Sequence, residues 1–342
     1  MFKKINKKNS ATFVIAEISA NHNQDLERAV SLIKKARECG ADAVKFQTYT
    51  PDTITLNVNN KYFRVKHPKW GNRTLYQLYK TAYTPWHWFA RLKKVADRAG
   101  IVFFSTAFDK SAVDFLENLN VPFHKIASFE LVDLPLIEYA AGTKKPLILS
   151  TGMATIPEIK EAFFTAKRAG AKDVVLLKCV SNYPARPDDM NLKEIIKLKK
   201  IFKCPIGLSD HSLGTAVALA AVSLGAKVIE KHFTLSKKSK GPDNFFSIEP
   251  QELKSLVENI RIVERALGSD ARKLTAEEKG SLVFRRSLFA VRDIKKGEIF
   301  TEDKIRSIRP AYGLHPKFLK YLLGRKARKD IKKGMPLSKD ML

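Results

Sequence analysis

Pro205-Ile206-Gly207-Leu208-Ser209-Asp210-His211 and Lys227-Val228-Ile229-Glu230-Lys231-His232 are two short apolar runs, each closed by a polar cluster ending in histidine. Histidines delivered by two strand ends can meet over one pocket, which is how a barrel enzyme builds a divalent-metal site. Outward from this pair, from the N terminus to about residue 270, brief apolar runs alternate with longer periodic segments, the pattern of repeated βα units with parallel strands.

Eight such units can be read. Strands are expected at 13–17, 43–46, 101–105, 123–127, 146–150, 174–178, 205–208 and 227–232. Helices are expected at 26–39, 86–98, after an Asp109 N-cap, and at 135–141, 156–168, 192–200, 212–224 and 251–267. Eight units close naturally into a (β/α)8 TIM barrel, an α/β fold whose active site lies at the C-terminal strand ends. An open doubly wound sheet is the rival, but Glu17-Ile18-Ser19-Ala20-Asn21-His22-Asn23 stands after the first strand where a Gly-rich nucleotide fingerprint would be needed. Between the second strand and its helix lies a long irregular segment with Pro51, Asn57, Asn59, Asn60, Pro68 and Gly71, read as an active-site or lid loop.

The tail changes character. Arg292-Asp293-Ile294-Lys295-Lys296-Gly297-Glu298 is echoed by Lys329-Asp330-Ile331-Lys332-Lys333-Gly334-Met335, and Thr301-Glu302-Asp303-Lys304 by Ser338-Lys339-Asp340-Met341. This internal repeat marks a small pseudo-symmetric domain, giving a division into 1–285 and 286–342, the second with a core expected to be marginal alone.

The 342 residues are 44% hydrophobic and 28% charged, an ordinary globular composition able to bury a large core. The net charge of +27 is spread over pairs such as Lys3-Lys4, Lys7-Lys8, Lys34-Lys35 and Lys199-Lys200. A solvated lysine-rich surface is the first reading, steering of anionic substrates the second, and a nucleic-acid or anionic-surface binding protein the third. Cys39, Cys179 and Cys204 form neither a disulfide framework nor a thiolate zinc motif. Glu17 interrupts the first apolar stretch too early for a secretory signal, and no run reaches membrane-spanning length, so a soluble cytoplasmic protein without membrane partners is expected.

Polar residues gather at the strand ends: Glu17, Lys45 with Gln47, Ser105-Thr106, Lys125 with Ser128, Ser150-Thr151, Lys178, and the two histidine clusters. Unpaired buried lysines are costly, so Lys45 and Lys125, with hydroxyls of Thr106, Ser128 and Ser150, suggest a receptor for a phosphate plus a carboxylate, ordinary salt bridges being the plainer alternative. His211 and His232 suit Mn²⁺, Fe²⁺, Co²⁺ or Zn²⁺ and would leave coordination positions for water and substrate oxygen. His22 is a weaker ligand candidate that could instead order the first loop. Glu17 could hold a proton as general acid or base, or pair with a lysine. Asp210 reads as support for the neighbouring ligand. Arg306 and Arg309 precede a Pro-Ala-Tyr-Gly turn, a weak signal by itself.

Asn21-His22-Asn23, Lys45-Phe46-Gln47, Lys125-Ile126-Ala127-Ser128, Ser150-Thr151-Gly152-Met153, Gly207-Leu208-Ser209-Asp210-His211 and Ile229-Glu230-Lys231-His232-Phe233-Thr234 resemble the sialic acid synthase family over essentially the whole chain. The tail, with Ser307-Ile308-Arg309-Pro310, resembles its antifreeze-like (SAF) domain. Gln47-Thr48-Tyr49-Thr50-Pro51-Asp52-Thr53, Ala127-Ser128-Phe129-Glu130, Tyr183-Pro184-Ala185 and Gly241-Pro242-Asp243 are most similar to its pseudaminic acid branch, with the neuraminate and N,N′-diacetyllegionaminate branches as alternatives.

The resemblance implies a condensation of phosphoenolpyruvate with 2,4-diacetamido-2,4,6-trideoxy-L-altrose. It implies His211 and His232 as ligands of a divalent metal, typically Mn²⁺, with Mg²⁺ or Co²⁺ as alternatives, and Glu17 as manager of the water or the leaving proton. Lys45, Thr106, Lys125, Ser128, Ser150, Ser209 and Ser181 or Asn182 would hold phosphoenolpyruvate, and Gln47, Tyr183, Glu230 and Asp243 would face the sugar. It further implies a domain-swapped homodimer in which Arg309 reaches the partner's acceptor. Ala107, where proline is usual, and Ser181-Asn182 depart from the family pattern.

Overall fold

The computed structural model describes residues 10–67, 71–269 and 271–342. The Lys3-Lys4 and Lys7-Lys8 pairs and Pro68 lie outside the described residues. The chain divides into two compact units, one running to Gly268 and the other from Ser269 to the end.

In the first unit, strands β1 (Phe13–Glu17) and β2 (Ala43–Thr48) are followed by an antiparallel hairpin, β3 (Arg64–His67) and β4 (Gly71–Thr74). Then come β5 (Val102–Ala107), β6 (His124–Ile126), β7 (Leu147–Ser150), β8 (Val174–Cys179), β9 (Ile206–Asp210) and β10 (Val228–His232). All but the hairpin close into one barrel of parallel strands in the order β1-β10-β9-β8-β7-β6-β5-β2, so the (β/α)8 expectation holds. The segment after β2 is irregular over 55–63, where Asn57, Asn59 and Asn60 lie, but the helices Pro51–Ile54 and Leu75–Ala82 and the hairpin strands give regular structure on either side. Two capping boxes explain this: Thr50 with Thr53, and Thr74 with Gln77, each satisfy backbone N–H groups that would otherwise be left at a helix start.

The barrel helices are set by the same local chemistry. Asp25 accepts from Glu27 N and Arg28 N to open helix Leu26–Glu38, Asp109 accepts from Ala112 N to open Lys110–Asn118, and a Thr155–Glu158 capping box opens Ile156–Arg168. Their apolar faces pack on outward-facing strand residues such as Val14, Ala16, Val44 and Phe46. Among the described residues, no helix is long and apolar enough to cross a membrane.

Because side chains alternate along a strand, each barrel strand has one set that faces inward. Phe13, Ile15, Ala43, Phe104, Phe123, Ile148, Val175, Leu177 and Val228 form this inner core, with the Phe104 and Phe123 rings 4.4 Å apart. Gly207 belongs to the same layer, where a Cβ would lie 2.5 Å from the Val228 carbonyl oxygen and 2.6 Å from Leu177 Cδ2. Followed toward the C-terminal end of each strand, the inward set turns polar: Ile15 gives way to Glu17, Ala43 to Lys45 and Gln47, Phe104 to Thr106, Phe123 to Lys125, Ile148 to Ser150, and Val228 to Glu230 and His232. The apolar half closes the barrel's base and the polar half opens its mouth.

The second unit has a core of its own, including Leu288, Ile294, Phe300, Ile305, Leu322, Ile331 and Leu337. Strands β11 (Ser287–Ala290) and β12 (Ile305–Ile308) pair antiparallel. The repeat folds as a reciprocal pair: Ile294 and Ile331 exchange both backbone hydrogen bonds at 2.8 Å. Lys333 N donates to Asp293 Oδ1 and Lys296 N to Asp330 Oδ1, each at 2.8 Å. Arg309 follows β12 and is exposed within this unit.

Candidate active site

At the barrel mouth Lys45 is the hub. Its Nζ lies 3.1 Å from Glu230 Oε1, 3.3 Å from Glu17 Oε2 and 3.1 Å from Thr106 Oγ1, which accepts its hydrogen bond. Gln47 donates to Glu17 Oε1 and to Ser19 Oγ, both at 2.9 Å, and the Ser209 hydroxyl donates to Glu230 Oε1 at 3.0 Å. Lys125 donates to Ser150 Oγ at 2.6 Å and to its neighbour's carbonyl, Ile126 O, at 2.8 Å. Among the described residues it makes no ion pair with a carboxylate at that range, so of the two lysines only Lys45 fits the salt-bridge alternative.

Electrostatics separate the two carboxylates. Burial raises the Glu17 carboxyl to about 7, against the pull of Lys45. Burial would also raise Glu230, but Lys45 and Lys125 together override it and hold this carboxyl low. One acid is therefore poised to exchange a proton near neutrality while the other stays charged. Burial lowers Lys125 to about 8, Glu230 opposing and Lys45 reinforcing the shift. An ammonium held this way, short of a negative partner, is suited to an anionic ligand.

His211 and His232 stand over this layer with ring centres 5.5 Å apart. His211 Nδ1 is 2.7 Å from the Val180 carbonyl oxygen, which can only accept, so Nδ1 carries the proton and Nε2 the lone pair. His232 Nδ1 is buried without a hydrogen-bond partner, 3.9 Å from Asp243 Oδ2. Burial lowers both imidazoles, His232 strongly, with His211 as a further cause. Two neutral rings, one oriented by a carbonyl and one with a spare lone pair, are a donor set that fits a divalent cation. The described residues hold no group of three or more His, Cys, Asp or Glu arranged for a metal.

Above the histidines opens a cavity of about 710 Å³ lined by Ser19, Gln47, Ser128, Ser181, Asn182, Tyr183, His232 and Asp243 among others. Ser128 and Ser181 hydroxyls are 2.9 Å apart. Beside them Gly152 takes φ 49°, and a Cβ there would lie 2.4 Å from Ser128 Cβ, so glycine lets the loop after β7 close on the serines. The Tyr183 ring packs 4.4 Å from His211 and 5.2 Å from Phe246. Asp243 accepts from the Ser19 hydroxyl and from Ala20 N.

Two sequence readings need correction, for one reason: the outward members of the alternation face the helices, not the mouth. Asp210 pairs with Lys231 at 2.6 Å behind the strands and accepts from Ser212 N, so it does not support His211. Lys178 pairs with Glu194 at 2.8 Å on a surrounding helix. His22 is buried in the first loop, Nε2 3.1 Å from Thr84 Oγ1 and Nδ1 accepting from Gln24 N, which makes it a loop organiser. Glu230 lies in the layer beneath the cavity, among Lys45 and Ser209, and is not one of the cavity-lining residues. Among the lining residues without an individual sequence signal are Ser19, held at φ 46°, and Glu130, whose Oε2 is buried without a partner and whose carboxyl burial raises to about 7.

The NeuB family model matches residues 32–272, and the SAF domain model matches 285–342. The chain belongs to the NeuB family. It is 47% identical over 322 residues to pseudaminic acid synthase of Campylobacter jejuni (serotype O:2), covering 94% of each chain. It is 46% identical over 329 residues to pseudaminic acid synthase of Helicobacter pylori, covering 96% of each. Among solved structures, N-acetylneuraminic acid synthetase of Leptospira borgpetersenii in complex with citrate superposes with a TM-score of 0.72 at 35% identity, over 80% of this chain and 91% of that one. The motif resemblance to sialic acid synthases thus extends to family membership across both units.

Proposed function

We propose that this NeuB family member condenses phosphoenolpyruvate with 2,4-diacetamido-2,4,6-trideoxy-L-altrose to give pseudaminic acid and inorganic phosphate. The observation that carries the choice is the 47% identity to a pseudaminic acid synthase over 94% of both chains. The polar mouth supports the chemistry, since it pairs an unneutralised lysine and a hydroxyl cluster with two metal-competent imidazoles.

Phosphoenolpyruvate is held by Lys45 and Lys125 with Thr106, Ser150 and Ser209, its phosphate toward Ser128, Ser181 and Asn182. Charge fixed there offsets the repulsion that otherwise opposes bringing the anion into the barrel. His211 and His232 would hold a divalent ion, Mn²⁺ before Mg²⁺ or Co²⁺, and it would supply Lewis acidity toward the acceptor's aldehyde oxygen. C3 of the enol attacks the aldehyde carbon, the C2=C3 π pair forming the new C–C bond, and the alkoxide left on the aldehyde oxygen is protonated from solvent. Water adds at the cationic C2, losing a proton to Glu17, whose raised pKa suits the exchange. The tetrahedral centre then breaks its C2–O bond to phosphate as C2 becomes a ketone, and the hydroxyl proton leaves with the phosphate. Gln47, Tyr183 and Asp243 orient the open-chain sugar, and Glu230 keeps Lys45 in place from below.

The working form is proposed to be a domain-swapped homodimer in which Arg309 serves the partner's site. Its exposure within its own unit leaves it available for that. Phosphate release from phosphoenolpyruvate, measured with each candidate acetamido sugar with and without Mn²⁺, tests the reaction. Turnover restricted to the diacetamido trideoxy sugar supports it, and preference for a neuraminate or legionaminate acceptor overturns the assignment.

A further inference from the structure

Resting on the acceptor proposed above, we propose that Ile54, Val65, Leu75 and Leu78, from the described residues between β2 and β5, form the specificity element. It would select that sugar by seating the methyl groups that distinguish it from a hydroxylated hexose.

The cavity lining is mixed. Gln47, His232 and Asp243 line it with Tyr79, Glu130, Arg186 and Asp189, while Ile54, Val65, Leu75 and Leu78 from the insertion, with Phe108 and Phe129 from the loops after β5 and β6, supply its apolar side chains. The apolar side chains are braced. Leu75 and Leu78 are one turn apart on the capped helix Leu75–Ala82, β3 registers Val65 opposite Arg73 beside the helix start, and the Tyr49 ring meets Tyr79 and Phe108 edge-on at 5.6 and 5.1 Å.

A hexose with free hydroxyls at C4 and C6, placed against Ile54, Val65, Leu75 and Leu78, would set groups that need hydrogen bonds against side chains that offer none. The diacetamido trideoxy sugar presents the C4 acetyl methyl and the C6 methyl instead. The polar residues can hold its carbonyl and hydroxyl groups while the apolar ones exclude water from the methyls. Selection is therefore exerted on the end of the acceptor away from the aldehyde, and affects binding more than chemistry.

Val65→Thr keeps shape and adds one hydroxyl, and Phe129→Ser removes a ring that is 59% exposed, so neither threatens the fold. The single and combined variants, checked by circular dichroism, are compared with the unaltered enzyme in kcat and KM for the diacetamido trideoxy sugar, for a 2-acetamido-2-deoxyhexose with free C4 and C6 hydroxyls, and for phosphoenolpyruvate. The expected result is a KM for the trideoxy sugar raised ~10-fold or more in the combined variant, the range set by one or two apolar groups in a pocket. Its kcat and the phosphoenolpyruvate KM should be kept, and relative use of the hydroxylated sugar should rise. Unchanged acceptor preference in a folded combined variant overturns the proposal while leaving the proposed reaction standing. Failure of the unaltered enzyme to use the trideoxy sugar overturns the reaction and the wall's role with it.

Discussion

His211 and His232 come from different strand ends, yet their rings stand 5.5 Å apart with the His211 lone-pair nitrogen fixed by the Val180 carbonyl. That relationship makes a direct prediction about metal content. The unaltered protein should bind ~1 Mn²⁺ per chain, a two-histidine site completed by oxygen ligands. His211→Ala or His232→Ala should lose it, as measured by elemental analysis after dialysis. Chelation should abolish turnover and Mn²⁺ restore it; turnover persisting after exhaustive chelation would remove the metal from the mechanism.

Glu17 yields a pH prediction. Its folded pKa is raised to about 7, so the carboxylate form is lost as pH falls through neutrality. If it accepts the proton of the attacking water, kcat declines on the acid side with a midpoint near this value. Glu17→Gln should lower kcat by ~10²–10⁴-fold, remove that acid limb, and leave the KM for phosphoenolpyruvate within a few-fold. The same limb surviving in the glutamine variant would assign it to another group.

Lys125 should act chiefly in binding. Replacing it with methionine removes a charged donor to Ser150 and to the incoming anion, and should raise the phosphoenolpyruvate KM by ~10–100-fold, the scale of one or two charge-assisted hydrogen bonds. Since its pKa in the free barrel is lowered to about 8, kcat/KM for phosphoenolpyruvate should fall as pH rises above that value. Titration of anion affinity against pH checks both statements.

Gly207→Ala should damage folding, not chemistry. The added carbon would sit 2.5 Å from a backbone oxygen of the neighbouring strand, which cannot yield as a side-chain tip can. A cost of ~1–3 kcal/mol is the ordinary scale of such overpacking, so the melting temperature should drop measurably, with residual folded enzyme retaining its substrate KM values. A wild-type melting curve would show that the barrel base is looser than its packing indicates.

Arg309 can be tested by complementation. Glu17→Gln and Arg309→Ala should each be nearly inactive alone, and mixing them under subunit exchange should restore part of the turnover, because one site of each mixed dimer regains both groups. Absence of recovery, with exchange verified, would place Arg309 in its own chain's site. A chain ending at Arg285 should remain folded and fail to turn over.

Much of the fold was legible because every barrel strand is buried on both faces and reads as a continuous apolar run: Phe13–Glu17, Val174–Cys179 and Val228–His232 have no exposed position. The same continuity hid the alternation. Ser209, Asp210 and His211 look equivalent as a cluster, but the middle residue points to the helices, and so do Lys231 and Lys178. The insertion looked irregular throughout because its two short helices depend on Thr-based caps in a segment too short for a periodic pattern. Glu130 was invisible individually, since an unpartnered buried carboxyl is a property of its surroundings and not of its neighbours in sequence.

The small unit carries a different lesson in the way Asp293 holds the backbone of Lys333 and Asp330 that of Lys296. Each copy of the repeat closes its own turn, Glu298 N donating to Lys295 O and Met335 N to Lys332 O, and the twin's aspartate adds a second hold on it. The two copies therefore steady each other across a pseudo-twofold relation, with the intervening chain replacing encounter by tethering. A lone copy would keep its turn and lose the aspartate and the isoleucine pairing that the twin supplies.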